Sequence, residues 1–376
     1  MNKKLIDKLI GVPVVSFLSL FKKKNKRPKE IRNILVIRMF GVGDAVLVSS
    51  IIKGLKRKKK LNISILCTDE TKGIFLLSDA DKVYSLKLLN PLDALSKIKQ
   101  LRKEEFDVII DTETFANFSS IVQFFLRGKY KLGYSRSVRS KLYDNTIEFN
   151  PNTHTFYAFQ DLFSSANLDA NLKYLLPLNV KKEDETFISN FLSDLLKKEK
   201  NVLLIGIHPG TGDTATQRRW MPERFAELAD YLIEKYGAKV FLSGTPKERE
   251  LLQYIAGLMK NKPFIISNLS LSQFVALTKR FDLFISNDTG PMHIAASMGT
   301  TTLGLFGPNT PVRWAPLNRK SIYIYHKLPC SPCIQTHLGI VPDKCPLYKS
   351  AKCMEQISTE EVKKKVDLLL NRRRKR

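Results

Sequence analysis

Asp282-Leu283-Phe284-Ile285-Ser286-Asn287-Asp288-Thr289-Gly290-Pro291-Met292-His293-Ile294-Ala295-Ala296-Ser297-Met298 passes from an apolar strand through a polar turn into a short helix. The strand half is a continuous hydrophobic run, as expected of a parallel strand covered on both faces. The turn exposes backbone N–H groups at a helix start, where the helix dipole favours an anion. Gly290 lets a phosphate come close to the backbone, and Thr289 adds a hydroxyl donor. A plain capped helix, with Asp288 or Thr289 as its cap, would read the same way.

On both sides of this stretch the pattern repeats. Upstream, strands are predicted at 202–208, 239–243 and 264–266, with helices at 222–236, 248–260 and 270–280. Pro222 suits a first helical turn, Gly237 a helix end and Ser270 an N-cap. Downstream, Thr301-Thr302-Leu303-Gly304-Leu305-Phe306 is a further strand. An independent series opens earlier, with strands at 33–38, 62–67 and 106–111 and a helix from Ala45 to Lys58. Strands alternating with helices predict doubly wound parallel sheets, and two series predict two Rossmann-like halves. In such sheets ligands bind beyond the carboxyl ends of the strands. The loops after Arg38, His208, Ser243 and Ser286 are therefore the candidate sites.

The loop after His208 carries Thr211, Thr214, Arg218 and Arg219 among glycines. Hydroxyls, loop N–H groups and guanidinium forks are the donors a diphosphate needs. The loop Phe40-Gly41-Val42-Gly43-Asp44 lacks the spacing of a dinucleotide fingerprint. It offers instead a carboxylate at a helix start, either an N-cap or a general base.

At these residues the chain resembles glycosyltransferase family 9, the lipopolysaccharide heptosyltransferase family. The resemblance runs from about Ile31 to Val366. It is carried by Ile37-Arg38-Met39-Phe40-Gly41-Val42-Gly43-Asp44, Arg219-Trp220-Met221-Pro222-Glu223-Arg224-Phe225, Asn287-Asp288-Thr289-Gly290-Pro291-Met292-His293-Ile294-Ala295-Ala296 and Leu305-Phe306-Gly307-Pro308. It implies a GT-B fold, two Rossmann-like domains facing across a cleft. It implies inverting transfer from a nucleotide sugar, with ADP-heptose the best guess, to a lipid-linked anionic glycan. By position, Asp44 becomes the general base. Arg218 falls where the family often has a lysine on the donor diphosphate, Asp288, Thr289, Gly290 and His293 fall on the donor motif, and Glu248 falls near the donor nucleoside. No cofactor is required by this route. The extra thirty residues ahead of the first strand, and arginine in place of lysine at 218, depart from the family pattern. A sugar-nucleotide epimerase on a similar fold, or a basic nucleic-acid- or membrane-binding protein without catalysis, are the alternatives.

The chain carries 62 Lys and Arg against 36 Asp and Glu, a net charge of +26 over 376 residues. An anionic partner follows from that surplus. Its basic runs (22–27, 56–60 and 372–376) lack the interleaved aromatics of a nucleic-acid binder, so no nucleic-acid partner is expected. Residues 9–21 are apolar, shorter than a membrane span and flanked by lysines. They suggest an interfacial anchor on an anionic membrane, or else an amphipathic helix packed on the protein. The expected location is the cytoplasmic face of the inner membrane. The expected organisation is a basic extension (1–30), an acceptor domain (31–175), a donor domain (176–350), and a C-terminal helix and tail (351–376). Cys330, Cys333, Cys345 and Cys353 could hold zinc, although only one pair is tightly spaced; free thiols are the alternative, and disulfides are not expected.

Overall fold

A computed structural model describes residues 7, 9–88, 90–196, 199, 201–212, 215–342 and 344–374. The chain divides into two compact units, one ending at Leu176 and including Thr336–Gly339, the other formed by the rest.

The first unit contains α1 (Gly11–Ser19), β1 (Asn33–Ile37), α2 (Val42–Lys58), β2 (Asn62–Thr68), α3 (Asp69–Phe75), β3 (Lys82–Leu86), α4 (Pro91–Leu101), β4 (Phe106–Asp111), α5 (Asn117–Phe124), β5 (Gly128–Tyr134), β6 (Asn145–Ile147) and α6 (Thr155–Ser164). All neighbouring strands run parallel, in the order β3-β2-β1-β4-β5-β6. The central strands are buried throughout because Ile34-Leu35-Val36-Ile37 and Val108-Ile109-Ile110 meet helices on both faces.

The second unit repeats the plan with α7 (Lys182–Leu196), β7 (Leu204–His208), α8 (Pro222–Tyr236), β8 (Lys239–Ser243), α9 (Arg249–Leu258), β9 (Phe264–Ile266), α10 (Leu271–Thr278), β10 (Leu283–Asn287), α11 (Gly290–Ser297), β11 (Thr301–Phe306), α12 (Pro311–Trp314), β12 (Ile322–Tyr325), α13 (Lys352–Glu355) and α14 (Thr359–Arg374). Its order is β12-β11-β10-β7-β8-β9, the same topology as the first sheet. Ser270 caps α10 with Gln273 closing the box, and Pro222 opens α8. The C-terminal helix packs on α8 and adds Val362, Val366 and Leu369 to the second core.

In each sheet the strand order reverses between the first and fourth strands. That places a crevice outside the carboxyl ends of β1 and β4 in one unit, and of β7 and β10 in the other. The loops 38–41 and 112–116, and residues 209–212, 215–221 and 288–289, border those crevices.

Candidate active site

In the first unit the chain leaves β1 at Arg38 and turns through Gly41, whose φ of +83° favours glycine. Asp44 follows in the first turn of α2 and tucks against that turn, since a Cβ on Gly41 would lie 2.6 Å from Asp44 Oδ2. Arg38 is buried and forks three ways. Its Nη2 pairs with Asp44 Oδ2, its Nη1 donates to the Thr112 carbonyl at 3.0 Å, and its Nε donates to the Phe40 carbonyl at 2.8 Å. Glu113, from the loop after β4, accepts from the N–H groups of Met39 at 2.7 Å and Phe40 at 3.0 Å. Burial alone would lower the Arg38 pKa, but Asp44 and Glu113 beside it raise it above the usual arginine value. The guanidinium therefore stays charged and fixes the Asp44 carboxylate. Beneath this lies a second buried pair. Asp111 Oδ2 accepts from Arg139 Nη2 at 2.8 Å, Tyr143 OH at 2.8 Å and Ser119 Oγ at 2.7 Å.

In the second unit Arg218 ties the two crevice loops together. Its Nη1 donates to the Asp288 carbonyl at 2.7 Å and its Nη2 to the Thr211 carbonyl at 3.3 Å, with Asp288 Oδ2 3.8 Å from Nη1. Arg219 holds the same loop from the other side. Its Nε donates to Thr211 Oγ1 at 3.2 Å and its Nη2 to the Gly212 carbonyl at 2.9 Å. Burial lowers the Arg218 pKa; Asp288 opposes that shift and Arg219 adds to it. Asp288 is buried, which raises its carboxyl pKa against Arg218 and an Asn309 Nδ2 donor at 2.7 Å. Thr289 occupies the N-cap position of α11, yet no side chain caps that helix among the described residues. Its hydroxyl lies 3.2 Å from Ser286 Oγ instead. In that first turn Pro291 has no N–H and Met292 N donates to the Thr289 carbonyl at 3.2 Å, so the Gly290 N–H is its candidate donor for an anion.

Glu248 is occupied structurally. Its Oε1 accepts from Gly212 N at 3.0 Å, and its Oε2 accepts from Thr245 N at 2.9 Å and Thr245 Oγ1 at 3.0 Å, closing a capping box. His293 is buried with its ring against Trp314, centroids 6.1 Å apart. Thr214 lies outside the described residues.

The glycosyltransferase family 9 (heptosyltransferase) model matches residues 94–338. The chain belongs to glycosyltransferase family 9. Among curated proteins, this family 9 chain is 28% identical over 234 residues to the lipopolysaccharide core heptosyltransferase OpsX of Haemophilus influenzae. That match covers 60% of this chain and 63% of the relative, less than two thirds of its length. It is 30% identical over 241 residues to lipooligosaccharide heptosyltransferase 2 of Campylobacter jejuni, covering 55% of this chain and 72% of the relative. Among solved structures, a family 9 glycosyltransferase from Veillonella parvula superposes with a TM-score of 0.76 at 20% identity, over 93% of this chain and 100% of that one. The E. coli ADP-heptose heptosyltransferase II gives 0.71 at 19% identity, over 91% and 99%. At these identities the structures establish the fold, the paired Rossmann-like halves of the GT-B class.

Within the family 9 chain, Thr211, Arg218, Arg219, Glu248, Asp288, Thr289 and Gly290 all lie on or beside the crevice loops of the second unit. Arg38, Glu113 and Asn309 were not singled out from sequence. The signal for Asn309 was its place directly after Leu305-Phe306-Gly307-Pro308. Asn309→Leu is expected to cost about 2 kcal/mol, the worth of a hydrogen bond to a charged group. Burial pushes the folded Asp288 carboxyl above its ordinary pKa, so its ionised form weakens folding as pH rises from the ordinary value through the raised one. Losing the Asn309 donor penalises the ionised form further, so thermal melts should show a larger loss at pH 7 than near pH 4.

Cys330, Cys333, Cys345 and Cys353 line one small hollow with Pro308 and Gln217. Among the described residues no group of three or more His, Cys, Asp or Glu side chains is arranged to hold a metal, and all five cysteines are free thiols.

Proposed function

We propose that this family 9 chain transfers a heptose from ADP-heptose, with inversion, to a sugar hydroxyl of a lipid-linked lipopolysaccharide core. The single observation that carries the donor site is the Arg218 bridge, which joins the 209–219 loop to the Asp288 carbonyl beside the uncapped start of α11. That arrangement suits a diphosphate: two guanidiniums, loop N–H groups and a helix N-terminus converge on one crevice edge. The names of the heptosyltransferase relatives, and the ADP-heptose of the E. coli enzyme, support the choice of donor and acceptor.

In the proposed step Asp44 takes the proton from the acceptor hydroxyl as its oxygen attacks the anomeric carbon. The bond from that carbon to the diphosphate breaks on the opposite face, and ADP leaves with the electron pair. Arg218, Arg219 and the Gly290 N–H at the start of α11 stabilise the charge that develops on the diphosphate. One displacement inverts the anomeric centre. Transfer, rather than epimerisation, is the reading that family membership favours, and it uses both Asp44 and the donor loops. The anionic acceptor would be met at the cytoplasmic face of the inner membrane, in keeping with the net charge of +26.

The test is a thermal-shift panel of nucleotide sugars followed by an ADP-release assay. A donor at one hundred times its Kd adds about 2.7 kcal/mol, a shift of several degrees. ADP-heptose should stabilise the chain where UDP- and GDP-sugars do not. Stabilisation by a UDP-sugar alone would sink the donor assignment.

A further inference from the structure

The basic extension is docked on the first unit, but only by one face. Gly11, Val15 and Leu18 of α1 turn inward against α5 and the turn at 138–142, where Val15 and Leu18 pack with Leu142. Polar contacts pin both ends. Asp7 accepts from the N–H groups of Asn117 at 3.0 Å and Phe118 at 2.9 Å, capping α5. Lys22 pairs with the buried Asp144, which also accepts from Asn25 N at 2.8 Å.

The opposite face is apolar too, and it is open. Ile10, Pro13, Phe17 and Leu20 recur at helical spacing on the outer side, with Phe21 closing the patch. Phe17 is 61% exposed, Leu20 77% and Phe21 63%, and the two rings stack edge to face at 5.3 Å. A helix that only packed on its own protein would carry polar residues there. Directly after the patch, Lys23, Lys24, Lys26, Arg27 and Lys29 are exposed. An aromatic and aliphatic face beside a cationic run complements an acyl boundary topped by anionic headgroups. No helix among the described residues is long and apolar enough to cross a membrane, so the contact would be interfacial.

We propose that the outer face of α1, with the basic run that follows it, is a docking surface for an anionic lipid bilayer. The inner face makes this rigid: because α1 is fixed to the first unit at Asp7 and Lys22, membrane contact orients that whole unit and not merely a tether. The inference deepens the lipid-linked acceptor reading above and rests on it for its purpose, though the binding itself does not.

The experiment is co-sedimentation of the full chain with phosphatidylcholine vesicles containing 30% phosphatidylglycerol, without donor or acceptor. The parent should bind these vesicles and bind pure phosphatidylcholine far more weakly, with affinity falling as salt rises. Phe17→Ser/Leu20→Ser/Phe21→Ser should lower the partition coefficient at least tenfold with an unchanged melting temperature. Lys23→Gln/Lys24→Gln/Lys26→Gln should lower binding to the anionic vesicles alone. If the serine variant does not fold, Phe17→Trp replaces it, and its emission should move to shorter wavelength on anionic vesicles. Equal partition of serine variant and parent, or unmoved Trp emission, overturns the proposal. So does a concentration-dependent dimer that the serine variant abolishes, which would mean a second copy covers the face. Transfer to a delipidated, soluble acceptor should be equal in parent and serine variant; its absence in both would count against the transferase reading and leave the vesicle result standing.

Discussion

Asp44→Asn is expected to lower kcat about a thousandfold while leaving donor affinity within about twofold, the range for losing a general base. The substitution keeps shape and keeps an acceptor for the Arg38 guanidinium. It removes the negative charge, and with it the ability to take a proton. Arg38 remains beside Glu113, whose Oε1 lies 3.6 Å from Nε, so the buried cation keeps an anionic neighbour and the fold should survive. The proposed donor loops belong to the second unit and make none of these contacts. Single-turnover measurement of ADP release, with a melt to confirm folding, separates the two effects. Parent-rate release in the variant would remove Asp44 from the mechanism. Arg38→Gln supplies the companion test of positioning. It loses the ion pair to Asp44 together with the bonds that fix the loop at Phe40 and Thr112, so kcat should fall while Asp44 is still present.

The fold was legible because its central strands are unbroken apolar runs and its loops carry the polar residues. Strand β3, Lys82-Val83-Tyr84-Ser85-Leu86, is only half-buried and reads ambiguously, and β6 has three residues. Such edge strands are defined by the neighbour they pair with, which local sequence does not contain. The crevice loops followed from strand order, but the adjacency of β1 and β4 is a long-range fact. Without it, Glu113 is one more acid after a strand; with it, Glu113 holds the backbone that leads to Asp44. The resemblance placed Glu248 near the donor nucleoside. Its own surroundings, a Thr-Pro-Lys-Glu capping box, were readable from residues 245–248. Residues 9–21 read equally as a membrane anchor or a packed helix because one apolar stripe fits either. The helix has two apolar faces, and a linear reading of residues 9–21 does not separate them.

Gly210→Val is expected to cost about 3 kcal/mol of stability and to lower kcat/KM about a hundredfold, summing overpacking with a lost charge-assisted bond and a displaced loop. The reason is contact, not backbone freedom, since Gly210 lies outside the left-handed region. Any Cβ at this position would fall on the Glu248 carboxylate. That carboxylate has nowhere to retreat, because Thr245 holds one oxygen and Gly212 N the other. Either the 209–212 loop moves off the sheet or Glu248 leaves its capping box, and in both cases Gly212 loses its acceptor. A double-mutant cycle distinguishes this strut role from a direct nucleoside contact. If the clash governs, Gly210→Ala should cost little in a Glu248→Ala background, because the obstructing carboxylate is gone. Equal losses from Gly210→Ala in both backgrounds would mean that Glu248 and Gly210 act separately. Glu248 would then be free to serve the donor directly, and the loop after β7 would be held by Arg218, Arg219 and the Asn287 Nδ2 bond to the Pro209 carbonyl.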